Sequence, residues 1–365
     1  MYNFFSFYLF MIVYVPVAFL FLFDFIDILT LFVVTFITGG YLIAGQLRLK
    51  EVNREWGLQA NGKVMIFFAL TYFIFSGPFI LEIIENIIQG TYFEFAYLLA
   101  VDRYAGEAEE GIIKKVSTIL FFAYCSAFGS SFNELSKKHW IFLIIMILVE
   151  SSSLSRAGVL LGVSIVAIEI IMIKKNYFKT AKLFIWGNLI IKITLILIPI
   201  FIFSAYFRLT ATDDVIPILI DKFLSYSVAM YFAFSHWLSD ANLFSAGLGY
   251  NTLSTFYKIF GIEYSQGHYT ALLNTPFGET NIYTILRGLI EDFTVIGAMF
   301  FFLISGVAFK KFDSNPSIYN YMIARFLGLM ILYFFYSPFF FTTVFFGYHL
   351  PLVFKFIEVS IGRIK

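Results

Sequence analysis

Apolar residues in this chain run in long blocks, not at the spacing of a single buried helix face. A helix needs about 20 apolar residues, at about 1.5 Å each, to cross the hydrocarbon core of a bilayer. Stretches that meet or approach this length are Phe4–Phe23, Phe25–Gly45, Val64–Ile84, Ile112–Phe132, Trp140–Ser155, Ala157–Ile173, Leu183–Phe203, Phe293–Phe309, Ile318–Tyr336 and Pro338–Ile357. They predict an all-α polytopic membrane protein of about ten spans, with residues 1–365 forming a single transmembrane domain. The block Ile141–Ile173 would be about 50 Å long as one helix, against a core of about 30 Å. It must turn, and Ser151-Ser152-Ser153-Leu154-Ser155-Arg156 offers the place. The expectation is a tight hairpin with Arg156 at its tip.

Charge placement orients the spans. Lys137 and Lys138 precede that block, and Lys174 and Lys175 follow it. Basic residues mark the cytoplasmic side in short loops, so the block crosses an even number of times. The same rule places Arg48, Lys50, Arg54, Lys63, Lys179, Lys182, Lys310, Lys311, Lys355, Arg363 and Lys365 inside, and both termini come out cytoplasmic. Two segments are then external. Residues 85–111 are acidic, with Glu85, Glu94, Asp102, Glu107, Glu109 and Glu110; residues 208–292 form a large loop between the seventh and eighth spans, rich in Tyr, Phe and Trp. Its stretch Phe223–Leu238 is apolar, but a crossing there would put Lys310 and Lys311 outside, so it reads as a helix lying at the interface.

Composition fits lipid as the solvent. Hydrophobic residues make up 60% and charged residues 13%, with a mean hydropathy of +0.85, whereas a soluble domain carries about 25% charge. The net charge of +1 gives no sign of a nucleic-acid partner. A single cysteine, Cys125, excludes an intrachain disulfide or a thiolate cage. The first block lacks a basic flank and a small-residue cleavage site, so it reads as a retained span and not a signal peptide. A phosphate-binding Walker loop and an H-E-x-x-H metal motif are absent, and Asp24 and Asp27 are spaced D-x-x-D, not D-x-D. Nucleotide-driven pumping and metalloprotease chemistry find no support, and no cofactor or metal site is predicted.

Ionisable groups inside or at the edge of a membrane are functional candidates by default. Lys192 and Arg325 lie within reach of a cytoplasmic end, where long side chains snorkel; Glu169 is close enough to that side to pair with a lysine. Arg156 differs, because a planar guanidinium at an external tip suits a phosphate. The run Gly278-Glu279-Thr280-Asn281-Ile282-Tyr283-Thr284-Ile285-Leu286-Arg287, leading through Glu291-Asp292-Phe293 into a span, concentrates carboxylates, an amide, a phenol and a guanidinium. Ordinary loop polarity is the plainer explanation of that concentration. His236 and His268 are the histidines of the large loop, and either can serve as a base near neutral pH.

With these residues in view, the chain resembles the O-antigen polymerase family, Wzy, also called oligosaccharide repeat unit polymerases. Members commonly read Asn-x-Tyr-Thr, then Arg, then Asp-Phe-Gly-x-x-Gly entering a span. Here the matching residues are Asn281, Tyr283, Thr284, Arg287, Asp292, Phe293 and Gly297, with Thr294 where the family has its first glycine. Weaker matches are Ser155-Arg156-Ala157-Gly158, and Tyr231–Trp237 followed by Gly247-Leu248-Gly249. The resemblance implies a GT-C-like fold in a bacterial inner membrane and a metal-independent glycosyl transfer on the external face. Its substrates would be undecaprenyl-diphosphate-linked oligosaccharides, with a chain-length regulator as candidate protein partner. It further implies that Arg156, Arg208 and Arg287 clamp diphosphate, that Asn281 and Tyr283 orient sugar or phosphate, and that His268, or failing that Glu279 or Asp292, is the base. The rivals are an O-antigen ligase using the same donor, a lipid-linked oligosaccharide flippase, and a sugar acyltransferase. The Asn-x-Tyr-Thr and Asp-Phe pattern disfavours the ligase. A lack of similar halves disfavours the flippase, and the absence of an early Arg/His pattern disfavours the acyltransferase.

Overall fold

The computed structural model describes residues 1–47, 62–92, 112–152, 156–173, 228–241, 273–276, 278–280, 284–315, 317–332 and 346–354, with a few isolated residues between them. Helix dominates. Tyr2–Leu22 (α1), Gly62–Gln89 (α3), Ile112–Ser130 (α4) and Ile285–Ser314 (α8) are long and apolar enough to cross a bilayer. Shorter helices are Ile28–Ala44 (α2), Lys137–Ser152 (α5), Arg156–Ile173 (α6), Met230–Asp240 (α7) and Ile318–Leu332 (α9). Leu22, Ile74, Ile88 and Ile304 are among the large apolar side chains left exposed, a liability in water but the proper contact for lipid. This is a mostly helical, membrane-embedded chain. The all-α expectation needs one addition, an antiparallel hairpin of Leu273–Thr275 (β1) and Gly278–Thr280 (β2) that pairs Asn274 with Glu279. The proposed span Leu183–Phe203 and half of Pro338–Ile357 lie outside the described residues.

The chain divides into two compact units. One contains α1, α2, α7, the hairpin, α8 and α9. Its centre is the packing of α2 on α8, and small residues make that packing close. A Cβ at Gly40 would stand 2.4 Å from the carbonyl oxygen of Met299, and one at Gly306 would stand 2.6 Å from the Cβ of Ala44. Gly40 thus faces an earlier turn of α8 than Ala44 does, so the two helices run in the same direction. Lys310 donates from Nζ to the carbonyl oxygens of Gly45 and Leu47, satisfying acceptors that the end of α2 leaves over. The C-terminal parts of α2 and α8 therefore meet.

At the other end of α2, the Asp27 carboxylate caps the helix by accepting from the Thr30 N–H at 2.8 Å. Helix α1 carries a π-helical turn over Phe10–Tyr14, followed by Pro16. Proline has no N–H to offer the carbonyl four residues back, here that of Ile12. The buried Tyr231 hydroxyl donates to this carbonyl instead, fastening α7 to α1. Arg325 does not reach outward as snorkelling predicts: it is fully buried, with its guanidinium over the Tyr321 ring at 5.2 Å.

The second unit contains α3, α4, α5, α6 and residues 346–354. Gly162 abuts Phe121 while Gly129 abuts Val166 and Glu169, so α4 and α6 run in the same direction with α5 returning between them. Helix α5 ends at Ser152 and α6 begins at Arg156, on either side of the expected turn, whose residues 153–155 lie outside the described residues. Buried Glu150 accepts from the Tyr72 hydroxyl at 3.2 Å and pairs with Lys114 at 3.6 Å. Glu169 is buried, with the Ser126 hydroxyl at 3.5 Å; Lys174 and Lys175 lie outside the described residues.

Replacing Gly306 by leucine should drive α2 and α8 apart. Overpacking of this kind costs about 1–3 kcal/mol, so a lower unfolding temperature of the detergent-solubilised protein is expected. An unchanged unfolding temperature would mean that the two helices do not pack this closely.

Candidate functional site

Helix α8 begins earlier than hydropathy predicts, at Ile285 and not at Phe293, and so takes in the motif residues Arg287, Glu291 and Asp292. It is also broken. Thr294 has φ +66° and ψ +172° within an otherwise helical run, a region populated almost only by glycine, at a cost of order 1–3 kcal/mol for other residues. The upper segment, Ile285 to Phe293, and the lower segment beyond Thr294 are thus separate helical pieces in one chain.

A break exposes backbone groups, which is tolerated at membrane depth only where protein satisfies them. Here a short stretch of the large loop does so. The Val295 N–H donates to the Leu243 carbonyl at 3.2 Å, and the Gly247 N–H donates to the Glu291 carbonyl at 2.7 Å. The Thr294 hydroxyl accepts a long, 3.5 Å bond from the Gly297 N–H, capping the lower segment as threonine does at a helix start. Gly247 is glycine for steric reasons: a Cβ there would lie 2.9 Å from the Glu291 carbonyl oxygen and 3.6 Å from Oδ1 of Asp292.

Side chains of the upper segment are enclosed. Arg287 and Asp292 are only 4% and 1% exposed, so the polar surface loop envisaged for this stretch is instead a packed helix. The Arg287 Nε donates to Oε1 of Glu291 at 2.8 Å, one turn on, and its guanidinium lies 5.3 Å from the centre of the Trp237 ring. A buried arginine needs such compensation, since an unpaired buried charge is strongly destabilising. At the start of the segment, Thr284 holds the N-cap position, but its side chain makes no capping bond. Among the described residues its buried Oγ1 has no hydrogen-bond partner, an uncommon state for an interior hydroxyl.

Two of the sequence matches therefore converge in space. Trp237 and Gly247 come from the large loop, and both touch the Arg287–Asp292 segment. Of the other candidates, Glu279 lies in β2, where its backbone pairs with Asn274. Arg156 opens α6 in the other unit. Arg208, His268, Asn281 and Tyr283 fall outside the described residues. The roles of Trp237, Gly247, Glu291 and Thr284 were not evident beforehand. Only the short Gly-Leu-Gly signal hinted that Gly247 approaches another backbone.

Comparison with protein-family models, with curated proteins and with solved structures finds no match.

Replacing Thr294 by glycine should remove the backbone strain and raise stability by about 1 kcal/mol or more. Valine at the same position should lower it, because the strain stays and the cap is lost. Thermal unfolding of both variants tests this; a destabilised Thr294→Gly protein would show the backbone is not held in that conformation.

Proposed function

We propose that this chain is a surface-polysaccharide polymerase of the O-antigen type, a glycosyltransferase acting on the outer face of a bacterial cytoplasmic membrane. The observation that carries the reading is the backbone at Thr294. The family pattern has glycine at this position, and the chain here adopts a conformation that glycine alone takes without strain. A chance match of polar residues would give no reason for a glycine-type break between Asp292 and Gly297. The convergence of Trp237 and Gly247 on the same segment supports the reading independently.

In this reaction a hydroxyl oxygen of the acceptor repeat unit attacks the anomeric carbon of the growing glycan. The bond from that carbon to the carrier diphosphate breaks, and undecaprenyl diphosphate leaves with the electron pair. A base takes the hydroxyl proton. Diphosphate is a good leaving group, so the protein's main task is to stabilise the charge that develops on it. A preorganised guanidinium in a water-poor site does this effectively. Arg287 fits that role, since Glu291 fixes its Nε and Trp237 lies against its plane. The buried Thr284 hydroxyl and the start of the upper helical segment add donors of the kind a phosphate oxygen accepts. His268 is the first candidate for the base, with Glu279 and Asp292 behind it; Asp292 is enclosed beside Gly247. Arg156, Arg208, Asn281 and Tyr283 keep the binding roles that the resemblance implies.

The test is complementation of a deletion strain with Arg287→Ala. Losing a preorganised charged donor should slow transfer roughly 100-fold or more, so the ladder of long chains should vanish from electrophoresis. Single-repeat product should remain, and the protein should still be present in the membrane fraction. Wild-type chain lengths would remove Arg287 from the site. Loss of the single-repeat product as well would favour a flippase.

A further inference from the structure

Outside the Arg287 segment, the same unit contains an open cavity of about 330 Å³ where the chain passes from α1 to α2. It is lined by Asp24, Phe25, Ile26 and Asp27 on one side and by Phe232, Ser235, His236 and Ser239 of α7 on the other. The four α7 residues follow i, i+3, i+4, i+7 spacing and so share one face of the helix. Trp237, which meets Arg287, points from the opposite side of the helix. One short helix therefore stands between the cavity and the proposed transfer site.

The lining chemistry selects a ligand class. It offers two carboxylates, an imidazole, two hydroxyls and two phenyl rings, with no lysine or arginine. A phosphate would meet repulsion there. Among the described residues no three His, Cys, Asp or Glu side chains are grouped so as to hold a metal ion. Carboxylates that accept from hydroxyl groups, beside ring faces that cover C–H surfaces, suit an uncharged polyol. Asp27 is partly engaged as the α2 cap, and Ser235 accepts from the Thr30 hydroxyl at 2.7 Å. Those bonds leave the Ser235 proton to donate, and Asp24 remains on the open side, where it is exposed. The volume is at the small end for ligand pockets, about 300–1,000 Å³, so a short saccharide fits and a polymer does not.

The surroundings indicate how that saccharide arrives. Leu22, Phe23 and Ile28, which flank the cavity-lining stretch in sequence, are 76%, 61% and 73% exposed. Apolar side chains left open on both sides of a polar cavity are the pattern expected at the rim of a lipid-facing surface. Sugars attached to a membrane-anchored carrier present themselves at such a rim.

We propose that this cavity is a saccharide subsite for the glycan part of a lipid-linked substrate, with Asp24, His236 and Ser239 as its polar contacts. The proposal rests on the polymerase reading for the identity of the sugar, and its test is independent of catalysis. Full-length protein in nanodiscs would be titrated with the phosphate-free repeat-unit oligosaccharide, released by mild acid from the producing organism's own lipid-linked repeat unit. Inorganic pyrophosphate would be titrated separately, with saturation-transfer NMR as the readout for the saccharide and 31P line broadening for pyrophosphate. Asp24→Asn removes a charged acceptor, and Ser239→Trp fills the cavity from an exposed position, so neither change disturbs the core. Each should weaken oligosaccharide binding roughly tenfold or more, without altering pyrophosphate binding or the unfolding temperature. Oligosaccharide affinity within about twofold of wild type in both variants, no binding by the wild-type protein, or displacement of the oligosaccharide by pyrophosphate would each overturn the subsite. The two proposals fail separately. If Arg287→Ala abolishes long chains while the cavity variants bind normally, the subsite alone is wrong. If the cavity variants lose oligosaccharide while Arg287→Ala makes full-length chains, the subsite stands and the role of Arg287 falls.

Discussion

In hydrocarbon, every backbone N–H and C=O must find a partner within the protein, because no water is present to supply one. Most of this chain meets the requirement with uninterrupted helix. The break at Thr294 does not, and the structure around it follows from that deficit. The Val295 N–H and the Glu291 carbonyl are paired by Leu243 and Gly247, residues about fifty positions earlier in the chain. Those two bonds draw the large loop down against α8, and Gly247 can approach only because it lacks a side chain. The break and the loop that mends it form one device, which also encloses Asp292.

Proline poses the same problem in α1 and receives a similar answer. Pro16 deprives the Ile12 carbonyl of a donor, and the Tyr231 hydroxyl takes its place. Helix α7 is thus held at one point to α1 and, through the Thr30–Ser235 bond, at another to α2. So fixed, it sets Trp237 against Arg287 and its opposite residues against the Asp24–Asp27 turn. Two irregularities of the membrane helices therefore position the residues with chemistry, whereas the regular packing of Gly40 and Gly306 supplies the frame.

Much of the frame was legible because hydropathy reports directly on lipid contact. The helices from Tyr2 to Ile173, the end of α5 at Ser152, and Ile318–Leu332 fall where apolar blocks and serine or lysine punctuation place them. The start of α8 was misjudged for a physical reason. Arg287, Glu291 and Asp292 lower local hydropathy, and no pattern within the segment reveals that Trp237 and Gly247 will enclose it. Burial of a charged run depends on partners distant in sequence. Arg325 shows the same limit: its position within a span suggested snorkelling, yet the Tyr321 ring keeps it inside. The cavity is equally hidden in the sequence, since Asp24 and Asp27 meet His236 and Ser239 only through the packing of α7.

The two segments of α8 also differ in what holds them. The lower one is clamped along α2 by glycine contacts, while the upper one is tied to loop and to α7. A bilayer that thins or thickens changes the preferred tilt of a spanning helix. With a joint at Thr294, the lower segment can adjust its tilt together with α2, while Arg287 keeps its orientation toward Trp237. The joint at Thr294 thus lets the two parts of α8 answer to different neighbours, so a change of tilt below it need not turn Arg287 by the same angle.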